Sequence, residues 1–143
     1  MNLKRMSLFL VCLIISSETV FAQEKTKFDG TWVSINGNWE TTIVFYHDIV
    51  TITRKLFKEE NHALRSTHIQ KGIFSYTHER IDILMIESIT TFPDMEFLNK
   101  TDTKQRVWGL LYILSGETLQ LSSNIYLEDY DSSNKKFETY KKT

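Results

Sequence analysis

The chain has 143 residues, of which 41% are hydrophobic and 24% charged, and its formal net charge is −1. This length corresponds to one domain, which is large enough to bury a substantial core. The near balance of acidic and basic residues argues against the strongly basic class of nucleic-acid-binding proteins.

Residues 1–22 predict a secretory signal peptide. Two basic residues near the start precede a short apolar run, residues 8–15, and Ala22 supplies the small residue at a cleavage site. Eight apolar residues are too few to span a bilayer, which takes about 20. We therefore expect a secreted or periplasmic mature protein, residues 23–143, with no membrane span.

The mature chain is expected to fold without disulfides, because Cys12 is the only cysteine and lies within the predicted signal peptide. Lipidation of Cys12 is not expected, since Val11 stands where a lipoprotein processing site has a smaller residue. Without residues 1–22 the chain keeps 15 basic and 17 acidic residues, a net charge of −2.

From Thr31 onward, short runs of β-branched and aromatic residues alternate with turn-forming residues. This pattern predicts antiparallel strands joined in chain order. Eight strands are predicted, at 31–35, 41–46, 49–57, 67–77, 80–90, 104–114, 117–123 and 135–141. The fold class is all-β: a single domain over residues 23–143, built as an eight-stranded antiparallel up-and-down barrel.

Two stretches interrupt the strand pattern. Residues 58–66 are highly charged and form either a long hairpin tip or a turn or two of helix. Residues 91–103 contain the only proline, Pro93, which suits the first position of a short helix near 93–99. A connection of this length in a compact domain is either a lid or a mobile segment.

Alternation within the strands assigns side chains to faces. It places Arg54 on the apolar face of 49–57, and Glu87 on the face of 80–90 that carries Met85. A charge inside a barrel is costly unless it is paired. Arg54 and Glu87 therefore neutralise each other, hold the polar head of a ligand, or reach solvent at strand ends. Both faces of 104–114 are largely apolar, so this strand is expected to be covered on both sides.

The run from Phe28 to Trp32 contains a Gly-x-Trp motif immediately before and within the first predicted strand. With the hairpin pattern that follows, this start resembles the small secreted bacterial lipocalin-like (calycin-type) family. The resemblance implies that Trp32 packs across one end of the barrel and that Gly30 lets the chain turn beneath it. It also implies a basic residue late in the chain lying over Trp32, for which the candidates are Lys135, Lys136, Lys141 and Lys142.

The resemblance further implies a small hydrophobic or amphipathic ligand inside the barrel. An eight-stranded barrel is just wide enough to be filled by side chains or to hold one small ligand, and both alternatives remain open. The candidate ligand-binding residues share a predicted inward orientation: Phe45, Ile52, Arg54, Phe74, Tyr76, Met85, Glu87, Trp108 and Tyr112.

No motif indicates catalysis. The four histidines lack the spacing of a metal site, and no serine lies in a nucleophile elbow. A non-enzymatic protein without metal or cofactor is expected, acting as a monomer. The alternative is a filled barrel that serves as an interaction module or protease inhibitor and docks through the segment Phe92 to Leu98.

Overall fold

A computed structural model describes residues 25–127 and 136–143. The predicted signal peptide, residues 1–22, and Cys12 within it lie outside the described residues. Within the described ranges, no helix has the length and apolar character needed to cross a membrane.

The described residues contain nine strands and one short 3₁₀ helix, and the eight predicted strands are all present within three residues of their predicted bounds. In chain order the strands are β1 Gly30–Asn36, β2 Trp39–Tyr46, β3 Ile49–Phe57, β4 Leu64–Tyr76, β5 Arg80–Thr91, β6 Lys100–Asp102, β7 Arg106–Ser115, β8 Thr118–Ser122 and β9 Phe137–Lys142. Only β6, which is three polar residues long, was not predicted.

The strands form a closed antiparallel barrel. Neighbours follow the order β4, β3, β2, β1, β9, β8, β7, β5, and pairing of β4 with β5 completes the circle. Strand β6 lies outside this circuit and pairs with β5 over Ser88–Thr90. The predicted eight-stranded up-and-down barrel is confirmed, and closure leaves none of its eight strands with a bare edge.

The two ends of the barrel differ in their connections. Residues 47–48, 77–79 and 116–117 make short turns at one end, which we call the closed end. The opposite end, the open end, carries the longer connections that follow β3, β5 and β8. The segment before β1 contributes Phe28, which is fully buried within the core.

A β-bulge changes the orientation of the second half of β5. Gly72 pairs with Met85, but the preceding residue, Lys71, pairs with Glu87, so that Ile86 has no partner. The extra residue reverses the alternation beyond it. Glu87 therefore points outward beside Lys71, with 3.5 Å between carboxylate and ammonium. The predicted inward orientation of Glu87 is wrong, because strict alternation ignores the bulge.

Strand β7 is covered on its outer side only in part. Val107 and Ile113 point outward and are 58% and 52% exposed. The chain after β8 crosses the strand at Gly109, where an added Cβ would lie 2.7 Å from the ring of Tyr126. The expected two-sided cover thus holds at Gly109 and is wrong at Val107 and Ile113.

The two interrupting stretches form connections at the open end. Residues 58–63 link β3 to β4 as a hairpin tip without a helix. The predicted short helix near 93–99 is a single 3₁₀ turn, Glu96–Leu98. The backbone amide of Phe92 donates to the Asn99 side chain at 2.8 Å, which ties the two ends of this segment together.

Candidate functional site

Aromatic rings fill the closed end of the barrel around Phe28. The ring centroid of Phe28 lies 5.5 Å from that of Phe45, 6.3 Å from Phe74 and 4.9 Å from Tyr112. Most of these pairs meet edge to face, an arrangement that stabilises aromatic clusters beyond simple burial. Three of the predicted ligand-binding residues, Phe45, Phe74 and Tyr112, are therefore packed core at this end.

A cation and two tyrosines border the same cluster. The Lys27 ammonium lies 5.2 Å from the Tyr76 ring and 4.7 Å from the Tyr112 ring. Lys27 also donates a hydrogen bond to the Tyr112 hydroxyl, which in turn donates to the carbonyl of Thr77 at 2.7 Å. Tyr76 is 41% exposed and packs against Phe28 at 5.0 Å, so it lies at the rim of the closed end.

Trp32 is fully buried next to Phe28, and its indole N–H donates to the Phe28 carbonyl at 2.7 Å. The ammonium of Lys142 lies 5.2 Å from the Trp32 ring centroid. Gly30 has φ of +128°, and a Cβ there would lie 2.9 Å from Cε of Lys142. Lys142 is thus the basic residue over Trp32, and Gly30 provides the backbone conformation and space for its side chain.

Above the aromatic cluster, the barrel contains a cavity of about 850 Å³ that reaches toward the open end. Buried aliphatic side chains from four strands form its apolar lining: Ile43, Ile52, Leu110 and Leu121. Polar and charged residues also face it, among them Asn36, Arg54, Arg106, Asn124, Lys136 and Glu138. The cavity therefore offers both an apolar surface and polar groups to the same occupant.

Arg54 reaches into this cavity. It pairs in register with Thr41 and His68, so all three point inward. Its guanidinium donates to Oε1 of Gln70 at 2.9 Å, and its Cζ lies 5.6 Å from the ring centroid of Trp108.

The bulge in β5 adds neutral polar groups beside Arg54. Ser88 and Thr90 pair with Gln70 and His68, and so face the interior. His68 Nδ1 lies 2.7 Å from the Thr90 hydroxyl, and Nε2 lies 3.4 Å from that of Ser88. Burial lowers the pKa of His68, and the positive charge of Arg54 lowers it further.

The last strand, β9, places an acid and a phenol on the cavity wall. The Tyr140 hydroxyl donates to Oε2 of Glu138 at 2.8 Å. Burial raises the pKa of Tyr140 well above its ordinary value, and both the charge of Glu138 and this hydrogen bond raise it further. Tyr140 therefore acts as a neutral hydrogen-bond donor to the side chain of Glu138.

The structure brings together only some of the predicted ligand-binding residues. Ile52, Arg54 and Trp108 line the cavity, whereas Met85 is buried without lining it. Glu87 lies on the outer surface, as described above.

Sequence reasoning missed several cavity residues, namely Ile43, Leu110, Leu121, Glu138 and Tyr140. The first three are apolar residues that alternation places on inward faces, but alternation alone does not distinguish one level of the barrel from another. The spacing of Glu138 and Tyr140, two residues apart in the last strand, was a signal that could have placed them on one face.

The described part of the chain has no cluster of three or more His, Cys, Asp or Glu side chains that could hold a metal ion. Comparison with known protein families, with curated proteins and with solved structures found no match. The arrangement of an apolar surface, a cation and hydrogen-bonding groups around one cavity is suited to reversible binding of a small molecule.

Proposed function

We propose that this is an exported, non-enzymatic, lipocalin-like protein that binds a small amphipathic molecule inside its barrel. The observation that carries the proposal is the cavity of about 850 Å³, with its apolar lining and its polar groups. Ligand pockets in proteins have volumes of about 300–1,000 Å³, are mostly apolar and contain a few placed polar groups.

Two features of the closed end support the lipocalin-like assignment. Gly30 and Trp32 stand at the start of the first strand, and Lys142 from the last strand lies over the Trp32 ring. This combination ties the two ends of the domain together at the end of the barrel opposite the cavity. The signal-like sequence of residues 1–22 supports export.

The test is native mass spectrometry of the protein produced from the full chain in an exporting host, followed by denaturing extraction of bound molecules. The proposal expects an N-terminus at Gln23 and a small molecule bound at one per chain. A ligand-free protein that also takes up no fluorescent fatty-acid probe would refute the binding function, and an uncleaved N-terminus would refute the predicted processing.

A second candidate function rests on the surface of the connection after β5. Phe97 is 84% exposed, and Met95 and Leu98 beside it are each more than a third exposed. No residue from 92 to 99 lines the cavity in this structure. Clustered exposed apolar side chains of this kind are typical of a protein-docking site, as in an interaction module or protease inhibitor.

The double variant Phe97→Ser with Leu98→Ser separates the two functions. If the protein acts through this segment, the variant loses capture of its protein partner while its melting temperature and small-molecule binding stay the same. Partner capture by the variant at the wild-type level would exclude the segment as the docking site.

A further inference from the structure

Arg54 extends across the interior of the barrel. It belongs to β3, whereas Trp108, whose ring its guanidinium approaches, belongs to β7. Strands β4 and β5 lie between these two in the barrel wall. The guanidinium is therefore located within the cavity, away from the solvent-exposed outer surface.

Much of the hydrogen-bonding capacity of Arg54 is unused. A guanidinium has five N–H donors, and within residues 25–127 and 136–143 its side chain makes one side-chain hydrogen bond, to Gln70. Over the same ranges, no carboxylate lies within 4.0 Å of it as an ion-pair partner. Placing a cation in a protein interior is costly unless an anion is close to it.

The other charges on the described cavity lining do not supply that anion. Arg106 and Lys136 are also cations, and Arg106 already pairs with Asp102 at 2.8 Å. The carboxylate of Glu138 accepts the hydroxyl of Tyr140 and does not lie within 4.0 Å of the Arg54 guanidinium as an ion-pair partner. The lining thus presents three basic side chains and one acidic side chain to an occupant.

We infer that the ligand carries a carboxylate or a similar oxyanion, bound by Arg54, with its apolar part against Ile52 and Leu110. The inference rests on the proposed function and specifies the chemical class of the ligand. The guanidinium, whose Cζ lies 5.6 Å from the Trp108 ring centroid, donates one N–H to Gln70 and keeps further N–H groups that can form a bidentate pair with an oxyanion. The aliphatic lining provides the surface for the rest of the molecule.

Two probes that differ in one charge test the inference: 11-(dansylamino)undecanoic acid and its methyl ester. Both are titrated into protein produced from the full chain, exported and freed of bound lipid. The variants are Arg54→Met and, as a matched control, Arg65→Met, which removes an exposed arginine of β4 that does not line the cavity. Thermal unfolding establishes that each variant is folded.

We expect the wild-type protein to bind the acid about tenfold or more tightly than the ester. This is the gain in affinity expected from one hydrogen-bonded ion pair between Arg54 and the carboxylate of the probe. Arg54→Met should lose this preference by weakening binding of the acid alone, while Arg65→Met keeps it. Arg54→Lys, which retains the charge, should keep part of the preference. The comparison of acid with ester on the wild-type protein does not depend on whether any variant folds.

The possible results separate the inference from the proposed function. Equal wild-type affinity for acid and ester overturns the inference and leaves small-molecule binding in place. A preference for the acid that survives in folded Arg54→Met overturns the assignment to Arg54. Failure of both probes to bind the wild-type protein overturns the inference and the proposed function together.

Discussion

The ammonium of Lys142 lies 5.2 Å from the centroid of the Trp32 ring. The last strand therefore places a cation over a tryptophan of the first strand. Trp32 and Lys142 also pair in register across β1 and β9. The contact joins the two ends of the described barrel domain, and residues 23–143 contain no cysteine that could form a disulfide there. It therefore stabilises closure of the barrel.

Replacing Lys142 by Met keeps the aliphatic stem against Gly30 and Trp32 but removes the charge. We expect the free energy of unfolding to fall by about 0.5–1 kcal/mol, the size of a cation–π contact that is partly solvated. Urea unfolding measures the change. Lys141→Met is the matched control, since Lys141 is exposed and, among the described residues, its side chain donates a hydrogen bond only to Thr118. An equal loss in both variants would contradict the specific role of Lys142.

Phe28→Ala should be among the most destabilising single changes in the protein. The ring is fully buried and contacts four other aromatic rings. Removing a buried phenylalanine side chain costs about 3–5 kcal/mol, because a cavity remains where the ring packed. Urea unfolding of Phe28→Ala and Phe28→Leu checks this, with the smaller loss expected for Leu. A loss below about 1 kcal/mol for Ala would show that the closed end rearranges around the missing ring.

Gly72→Ala tests the packing at the β-bulge. A Cβ at Gly72 would lie 2.6 Å from the carbonyl oxygen of Leu84 and 2.9 Å from Cγ2 of Ile83. Because one neighbour is backbone, the strand itself must shift, and we expect a loss of about 1–3 kcal/mol as for other overpacked sites. Ser75→Ala, at an exposed position of the same strand, is the control and should change stability little. Equal midpoints of urea unfolding for the two variants would contradict the tight approach of β5.

The raised pKa of Tyr140 predicts a loss of stability in strong alkali. The folded state holds the phenol proton more tightly than the unfolded state, whose tyrosine titrates near its ordinary value of about 10. The stabilisation is thus complete below about pH 10. Above it, stability falls by up to about 1.4 kcal/mol per pH unit.

The difference in unfolding free energy between wild type and Tyr140→Phe, measured from about pH 8 to 12, isolates this contribution from other groups that titrate in alkali. The difference should be constant up to about pH 10 and then shift in favour of the Phe variant. A difference that stays constant throughout this range would show that Tyr140 ionises as readily in the folded protein as in the unfolded one.

Arg54→Met should raise the pKa of His68. Burial is the larger cause of the lowered pKa and remains in the variant, while the charge of Arg54 is removed. Proton NMR titration of the His68 ring measures the change, and Arg65→Met should leave the His68 titration unchanged. Since the unfolded state binds the proton more readily, the wild-type protein loses stability as pH falls below about 6.5, and the variant should lose less. Identical His68 titrations in Arg54→Met and wild type would place Arg54 farther from the ring than the structure does.

The strand order was predictable because turn residues and β-branched runs are local signals. Strand β3, for example, begins and ends at the predicted residues 49 and 57. The inward position of Arg54 was also predictable, since no irregularity separates it from Ile52 in the pairing of β2 with β3.

What the sequence did not reveal depends on contacts between distant parts of the chain. Phe45 and Trp108 both face the interior, yet one belongs to the packed end and the other to the cavity. Phe28, from the segment before β1, packs against Phe45 and fills the barrel at the closed end, whereas Trp108 lines the cavity. Alternation gives the side of a strand and contains no information about depth within the barrel.

The β-bulge at Ile86 gives one stretch of sequence two alternative linings. If alternation along β5 were unbroken, Glu87 and Ile89 would point into the barrel near its open end. Because of the bulge, Ser88 and Thr90 point inward there instead. The side chains that line the interior of such a barrel can therefore change through a one-residue slip in strand pairing, with every amino acid unchanged in identity. An insertion or deletion of one residue near position 86 would therefore change which side chains of β5 face the interior, without any substitution in the cavity.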